Sequence, residues 1–297
     1  MELRHIRYFL AVAETLHFRR AAERAAVSQP ALSQQIKQLE EEIGTPLFDR
    51  LGRAVQLTRA GAIFMEHARR VIRELESAQA AIAAEEGLQC GTLPVGVLQT
   101  VSAYLIPEIV SRFAQAHPRV SLRVEELSGR QIEEGVASGR LDAGIGFVPP
   151  LFEPLDTDPL FEEDLVLIIP QRHRLAGRLR IALADLAGEP LVLLSQMYCV
   201  RQLIDESFQK ADVSPTVAIE MNSIEGILAT IRASARATIL PRLSLGLKPT
   251  SQLRAIGLTN PTPRRGVGLL WRPGSYRSPA ARAFAEHTHA VVAEYFP

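Results

Sequence analysis

An α+β multidomain fold is what this sequence predicts, on three observations. Residues 1 to 57 read as three short helices and a hairpin, residues 58 to about 87 as one uninterrupted amphipathic helix, and the remainder as alternating strand-like and helix-like segments. The 297 residues are enough for two or three domains with their own cores. The apolar share (47%) and charged share (22%) are those of an ordinary globular chain. With 33 basic and 33 acidic residues the net charge is zero, so a nucleic-acid function must rest on local placement.

In the first helix Ile6, Phe9, Leu10 and Ala13 share a face. The next segment, FRRAAERAAV, carries Ala21, Ala22 and Ala25, small enough for close helix packing. Ser28 then opens a third helix as its N-cap, Pro30 sits where its missing N–H had no partner anyway, and Gly44 ends it. Within it Leu32, Ile36, Leu39 and Ile43 form one apolar stripe. The opposite face shows Gln29, Ser33, Gln34 and Lys37, while Glu40, Glu41 and Glu42 crowd the far end. The stretch TPLFDRLGRAVQLT holds two short strands around Leu51, Gly52 and Arg53.

From the N-cap candidate Thr58 the long helix places Phe64, Ala68, Val71, Leu75, Ala78 and Ile82 at alternating spacings of four and three, a coiled-coil seam. About 45 Å of helix with a single apolar stripe needs a partner, and no matching helix exists elsewhere in the chain. A homodimer through residues 59 to 87 is the expectation. The segment GLQCGT, 87 to 92, reads as a hinge. Beyond it the alternation predicts parallel, doubly wound sheets, split into two α/β lobes: lobe I from 91 to 162 with 267 to 297, and lobe II from 163 to 266.

The polar face of the third helix suits major-groove chemistry. Amide side chains both donate to and accept from base edges. Lys37 and nearby arginines would contact phosphates. Arg19 and Arg20 start the preceding helix, where backbone N–H groups also favour a phosphate. Arg50 and Arg53 lie in the hairpin, placed like a wing. Up to Thr58 the count is eight basic against seven acidic residues, so placement and not bulk charge is the warrant.

In two α/β lobes a ligand crevice lies at the carboxyl ends of strands. Thr100 and Ser102 follow the first such strand and Ser128 the second, with Phe147 at the end of the third. In the second lobe Ser195, Gln196, Met197, Tyr198, Cys199 and Arg201 follow LVLL, and Asn222 and Ser223 follow TVAIEM. Hydroxyls and N–H groups at converging helix starts bind an anion without a full positive charge, so a small anionic effector is expected, with no cofactor and no metal. Simple N-capping remains the alternative for several of them, Asn222 and Ser223 above all. Cys90 and Cys199 lie too far apart in sequence for a metal or disulfide framework and point to a reduced, cytoplasmic setting. Cys199 reads either as a thiol lining the pocket or as an inert buried side chain. His287 and His289 point to different helix faces and share no metal.

The run FRRAAERAAVSQPALSQQIKQLEEEIGTPLFDR, with RYFLAVAE before it and VQLTRAG after it, strongly resembles the winged helix-turn-helix of LysR-type transcriptional regulators. The resemblance extends over the whole chain. It implies a winged helix-turn-helix DNA-binding domain at 1 to 58, a linker and dimerisation helix at 59 to 90, and an effector-binding domain at 91 to 297 with two lobes like those of periplasmic binding proteins. It also implies a sequence-specific regulator and not an enzyme, whose effector alters DNA binding or bending. Its implied partners are double-stranded DNA, further copies of itself up to a homotetramer, a small-molecule effector and RNA polymerase. Ser28, Gln29, Pro30, Ser33, Gln34 and Lys37 fall in or near the major groove on this likeness. Gln34 stands where many members carry a basic residue, which favours adenine over guanine as its partner. A looser similarity, in VSQPALSQQI, LVLLS, RQLID and NSIEGILATIRASARATILP, is to the subgroup of the cyanate-responsive regulator. Some members sense peroxide with two cysteines close in sequence. Cys199 has no such neighbour, so a disulfide switch is not expected.

The rival reading is an enzyme or solute-binding protein with an accessory helical domain. An enzyme should show GxSxG, HExxH or a glycine-rich phosphate loop, and none is present. The N-terminus lacks the apolar core and cleavage site of a signal peptide, and no run approaches the roughly 20 apolar residues of a membrane span.

Overall fold

The computed structural model describes residues 1–51, 54–85, 91–245 and 252–296. They divide into two compact units: Met1–Leu88 with Ser138–Arg140, and the remainder.

The first unit opens with α1 (Leu3–Thr15), α2 (Phe18–Arg24) and α3 (Gln29–Ile43), followed by an antiparallel hairpin of β1 (Phe48–Leu51) and β2 (Ala54–Leu57). Burial follows the periodicity. Ile6, Phe9 and Val12 of α1, Ala21 and Ala22 of α2, and Leu32, Ile36 and Leu39 of α3 close one core with Leu47 and Phe48. Phe9 holds it at the centre, 5.2 Å from the Phe48 ring and edge-on to Phe64 at 4.8 Å, pairs that add about 0.5–1.5 kcal/mol each beyond area burial. Ile43, expected in the stripe, is 36% exposed, because α3 outruns the core by its last turn before Gly44 ends it in the left-handed region at φ 79°.

The long helix α4 spans Arg59–Glu85, with Thr58 Oγ1 accepting the Gly61 N–H at 2.9 Å as its cap. Its expected seam is divided. Phe64 and Ala68 pack into the head core, together with Ala60, Met65 and Ile72. Further along, Val71 is 46% and Ile82 63% exposed. The first turns of the stripe therefore serve the chain's own head, and the seam available to a partner is shorter than the sequence suggested. Of the hinge expected at 87 to 92, residues 87–90, Cys90 among them, lie outside the described residues.

The second unit begins with β3 (Gly91–Leu98), α5 (Gln99–Ser102), α6 (Ile106–Ala116), β4 (Val120–Leu127), α7 (Gly129–Ala137) and β5 (Ala143–Val148), with β3 parallel to both β4 and β5. The next strand, β6 (Asp156–Pro170), is far longer than the DLVLIIP segment expected. Then follow β7 (Arg180–Ala182), β8 (Pro190–Leu194), α8 (Cys199–Lys210), β9 (Thr216–Met221), α9 (Ile224–Ala233), β10 (Thr238–Pro241), β11 (Leu253–Thr259), β12 (Arg264–Trp271) and α10 (Pro279–Tyr295).

The sheets are mixed, where purely parallel ones were expected. β12 runs antiparallel to β5 and β6, and β6 antiparallel to β10 and β11. The cause is β6 itself: residues 156–164 pair with β12, and residues 165–170 with β10 and β11. One continuous strand thus belongs to both lobes, and β12 with α10 returns the chain to the first. The passage between lobes falls inside strands, near Asp164 going out and Arg264 coming back.

Candidate functional site

Two surfaces carry the polar residues singled out from the sequence. The first is the open face of α3. Gln29, Pro30, Gln34 and Lys37 are exposed and Ser33 is half-buried. Ser28 accepts the Ala31 N–H at 3.4 Å, the capping role expected of it. Lys37 lies 3.6 Å from Glu41 in an exposed pair, and Arg19 3.3 Å from Glu23 in another, each worth at most about 1 kcal/mol and easily given up to a phosphate. Arg20 is exposed at the third position of α2, its N–H capped by His17. Arg19, Gln29 and Val55 line one concave surface, so the starts of α2 and α3 and the second hairpin strand converge there. Arg50 occupies β1 opposite Val55, and Arg53 lies outside the described residues.

The acids at the end of α3 are more than bystanders. Glu40 accepts the N–H groups of Leu47 and Phe48 at 2.8 and 3.1 Å, fastening the hairpin to the helix. Glu42 meets the N-terminal amine at 2.5 Å, and that hydrogen bond holds its carboxyl below the usual range. Gln35, absent from the sequence reading, turns toward α1, where its Oε1 lies 3.0 Å from His5 Nε2.

The second surface is the cleft between the lobes of the second unit. Gln99 and Thr100 open α5, Ser128 caps α7, Phe147 stands next to last in β5, and Tyr198 and Cys199 open α8 from the other lobe. The space they enclose is about 10 Å³, room for one water-sized molecule. Cys199 seats against Gly129, where a β-carbon would stand 2.6 Å from its sulfur, so only glycine permits the approach. Gln99 Nε2 donates to the Asn222 carbonyl across the lobes. Burial pushes the Cys199 thiol above its ordinary value and the charge of Glu133 adds to this, while the Gly129 backbone and Arg265 pull the other way.

Behind the cleft lies a buried network the sequence did not reveal. Arg265 Nε donates to Glu163 at 2.7 Å and its Nη2 to Thr100 Oγ1 at 2.8 Å. Tyr104 donates to the same carboxylate at 3.1 Å, and burial, then Glu163, drive its phenol well above the usual value. The guanidinium lies 5.0 Å from the Phe147 ring centre. Its Nη1 is buried without a hydrogen-bond partner among the described residues. The buried charges therefore cancel as Arg265 with Glu163. Glu133 is held apart by three backbone N–H groups, from Leu151, Phe152 and Glu153.

Three expected effector residues stand elsewhere, and a fourth, Asn222, meets the cleft only through its backbone. Arg201 is consumed by Asp205, Glu220 and the Leu194 carbonyl, at 2.9, 3.1 and 3.0 Å, because a buried guanidinium must satisfy its donors and these acceptors lie within its reach. Ser102 turns to Glu126 at 2.9 Å, since α5 is a single turn and carries it off the cleft. Gln196 is exposed and outside the cavity lining. Asn222 offers its backbone carbonyl, and its neighbour Ser223 caps α9. Gln99 could have been read from its place directly after a strand. Arg265 and Tyr104 could not, because their partners lie 165 and 59 residues away in sequence.

The described residues hold no group of His, Cys, Asp or Glu able to bind a metal, and none of their helices is long and apolar enough to cross a membrane. Two family profiles match the chain: "Bacterial regulatory helix-turn-helix protein, lysR family" over residues 3–62 and "LysR substrate binding domain" over 86–293. A "Hydrogen peroxide-inducible genes activator" of Dickeya chrysanthemi is 35% identical over 280 residues, 93% of this chain and 90% of the relative. The "DNA-binding transcriptional dual regulator OxyR" of Escherichia coli K12 is 33% identical over 300 residues, 100% of this chain and 97% of the relative. Among solved structures, full-length OxyR from Pseudomonas aeruginosa with a cysteine replaced by aspartate is similar at TM-score 0.74 and 28% identity, covering 98% of this chain and 94% of that one. Full-length CbnR complexed with its target DNA gives 0.67 and 25%, covering 98% and 100%.

Proposed function

This chain belongs to the LysR family of DNA-binding transcriptional regulators, and from that premise we propose that its effector is a very small neutral polar oxidant, of the hydroperoxide class, that reaches Cys199. The chain is a DNA-binding transcriptional regulator with an effector-binding domain, and not an enzyme.

The observation that carries the effector reading is the cleft floor. It combines a cavity of about 10 Å³ with a thiol and the hydroxyls of Thr100 and Ser128, and behind it stands the Arg265 guanidinium, its Nη1 unpartnered among the described residues and its charge balanced by Glu163. A neutral molecule needs no countercharge there, whereas an anion would have to enter beside Glu163 and Glu133. The names of the relatives, as peroxide-inducible activators, support the same chemistry. In the reaction the Cys199 sulfur takes the distal peroxide oxygen. The O–O bond breaks, the thiol becomes a sulfenic acid, and the other oxygen leaves as water or an alcohol after receiving the thiol proton. The raised thiol value slows this, because the thiolate is the attacking form, and Arg265 works against that shift.

Intact-protein mass after stoichiometric hydrogen peroxide tests this, with Cys199→Ser as the control. One added oxygen confined to Cys199, together with an altered operator footprint, is expected. An unmodified Cys199 with an unchanged footprint would refute it. The second reading, a small anion such as cyanate or formate, is favoured by one observation, the unpaired Nη1 of Arg265. Calorimetric binding of formate to wild type and its loss in Arg265→Gln would select that reading instead.

The reading extends to assembly and setting. The exposed part of the α4 stripe, Val71 and Ile82, supports a homodimer and, through it, a tetramer on DNA. Charged replacements there, Val71→Glu with Ile82→Glu, should shift light-scattering mass toward monomer. A cytoplasmic setting and contact with RNA polymerase complete the proposal.

A further inference from the structure

The crossing of the lobes has a second face. Arg264 and Arg265 are consecutive on β12 and pair in register with Asp164 and Glu163 of β6. Consecutive strand residues point to opposite faces of a sheet. Arg265 with Glu163 therefore serves the cleft, buried. Arg264, 60% exposed and 2.7 Å from Asp164, serves the other side. There the strands border a groove of about 650 Å³, within the range of small-molecule pockets and far roomier than the cleft.

Its lining has an uneven chemistry. Arg180 on β7 and Arg242 just after β10 enter it exposed, and neither has an ion-pair or hydrogen-bond partner among the described residues. Asp164 is balanced by Arg264, and Glu163, which also lines the groove, is held by the buried Arg265, leaving Glu162, 4.0 Å from Arg264, as the one acid of the lining not tightly paired against two open cations. The hydroxyls of Thr259 and Thr262 are spent on the carbonyls of Ile181 and Leu258 at 3.3 and 2.9 Å. Leu179, an exposed leucine at 77%, and Leu243 supply apolar lining, joined by Phe296, which stacks on Phe161 at 4.0 Å.

We propose that this groove is a second small-molecule site, for an amphipathic carboxylate whose anionic end meets Arg180 and Arg242 and whose apolar body lies along Leu179, Leu243 and Phe296. Free guanidiniums match a carboxylate bidentately, and the apolar lining rewards burial of a ring or short chain. The site touches β6, the strand shared by the two lobes, and the β11-to-β12 return between them, so an occupant bears on how the lobes are held.

Isothermal titration of the full-length protein with 2-naphthoate tests the proposal, with uncharged 2-naphthamide as the matched probe. Saturable one-to-one binding is expected, roughly tenfold weaker or more for each arginine removed in Arg180→Gln and Arg242→Gln. The exposed Arg254, outside the groove, controls for net charge, and Arg254→Gln should bind like wild type. Absence of saturable binding, equal affinity for the amide, or an unchanged affinity in the Arg180→Gln/Arg242→Gln double variant at unchanged melting temperature would overturn it. None of these outcomes depends on what happens at Cys199.

Discussion

The open face of α3 and the floor of the interlobe cleft are both lined by polar side chains, and the chain treats them in opposite ways. On α3, Gln29, Gln34 and Lys37 stand in solvent with at most a weak exposed pair among them. In the cleft, Thr100, Arg265, Glu163 and Tyr104 satisfy one another in a buried network. The difference teaches that the open helix face keeps its donors and acceptors uncommitted, as the proposed meeting with DNA requires. The cleft network spends nearly all of its own on itself, and among the described residues it leaves Arg265 Nη1 and the neighbouring Gln99 Oε1 unclaimed.

The largest way to break this comparison is to remove Glu163. Glu163→Ala leaves Arg265 as an uncompensated buried cation and should cost about 3–5 kcal/mol in urea unfolding. A loss below about 1 kcal/mol would mean that the network is solvated and the contrast false. Next, Gln34→Ala should lower the preference for operator over random DNA by about 1–3 kcal/mol in competition binding while leaving the melting temperature unchanged. An unaltered preference would remove Gln34 from the reading surface. Thr100→Val sharpens the cleft side. It takes away the acceptor for Arg265 Nη2, so a stability loss of about 1–2 kcal/mol should accompany a blunted effector response, with DNA affinity kept.

The smallest effect is on pH. The folded Cys199 thiol holds its proton more tightly than the unfolded one. Its contribution to stability is therefore complete below the usual thiol value of about 8.5 and fades as the pH rises through the higher folded value. Melting temperatures of wild type and Cys199→Ser should converge over that alkaline range. Parallel curves would place the thiol in water.

The same contrast decides what could be read from the sequence. Faces of α3 follow from a period of 3.6, so Leu32, Ile36 and Leu39 inside and Gln34 outside were legible at once. The missed strands were β7, β11 and the first half of β6. DTDPLFEE at the start of β6 carries acids and a proline in place of alternating apolar residues, and its strand character comes from pairing with β12. Without these strands the sheets looked parallel. Arg201 shows the limit for single residues: its place after LVLLS suggested a ligand contact, but Asp205 one turn on and Glu220 on the next strand take its donors first. Side chains that converge from distant segments, such as Arg265 onto Thr100, leave no periodic trace.

The grip of Glu40 on Leu47 and Phe48 bears on engineering. It ties the pitch of α3 to the root of the hairpin, so on the proposed reading the two meet DNA as one rigid stamp. Swapping residues at 29, 33, 34 and 37 to redirect the protein to another operator should leave the wing's reach untouched as long as that carboxylate is kept. Losing it would blur every recognition code grafted onto the helix, whatever bases the code was chosen for.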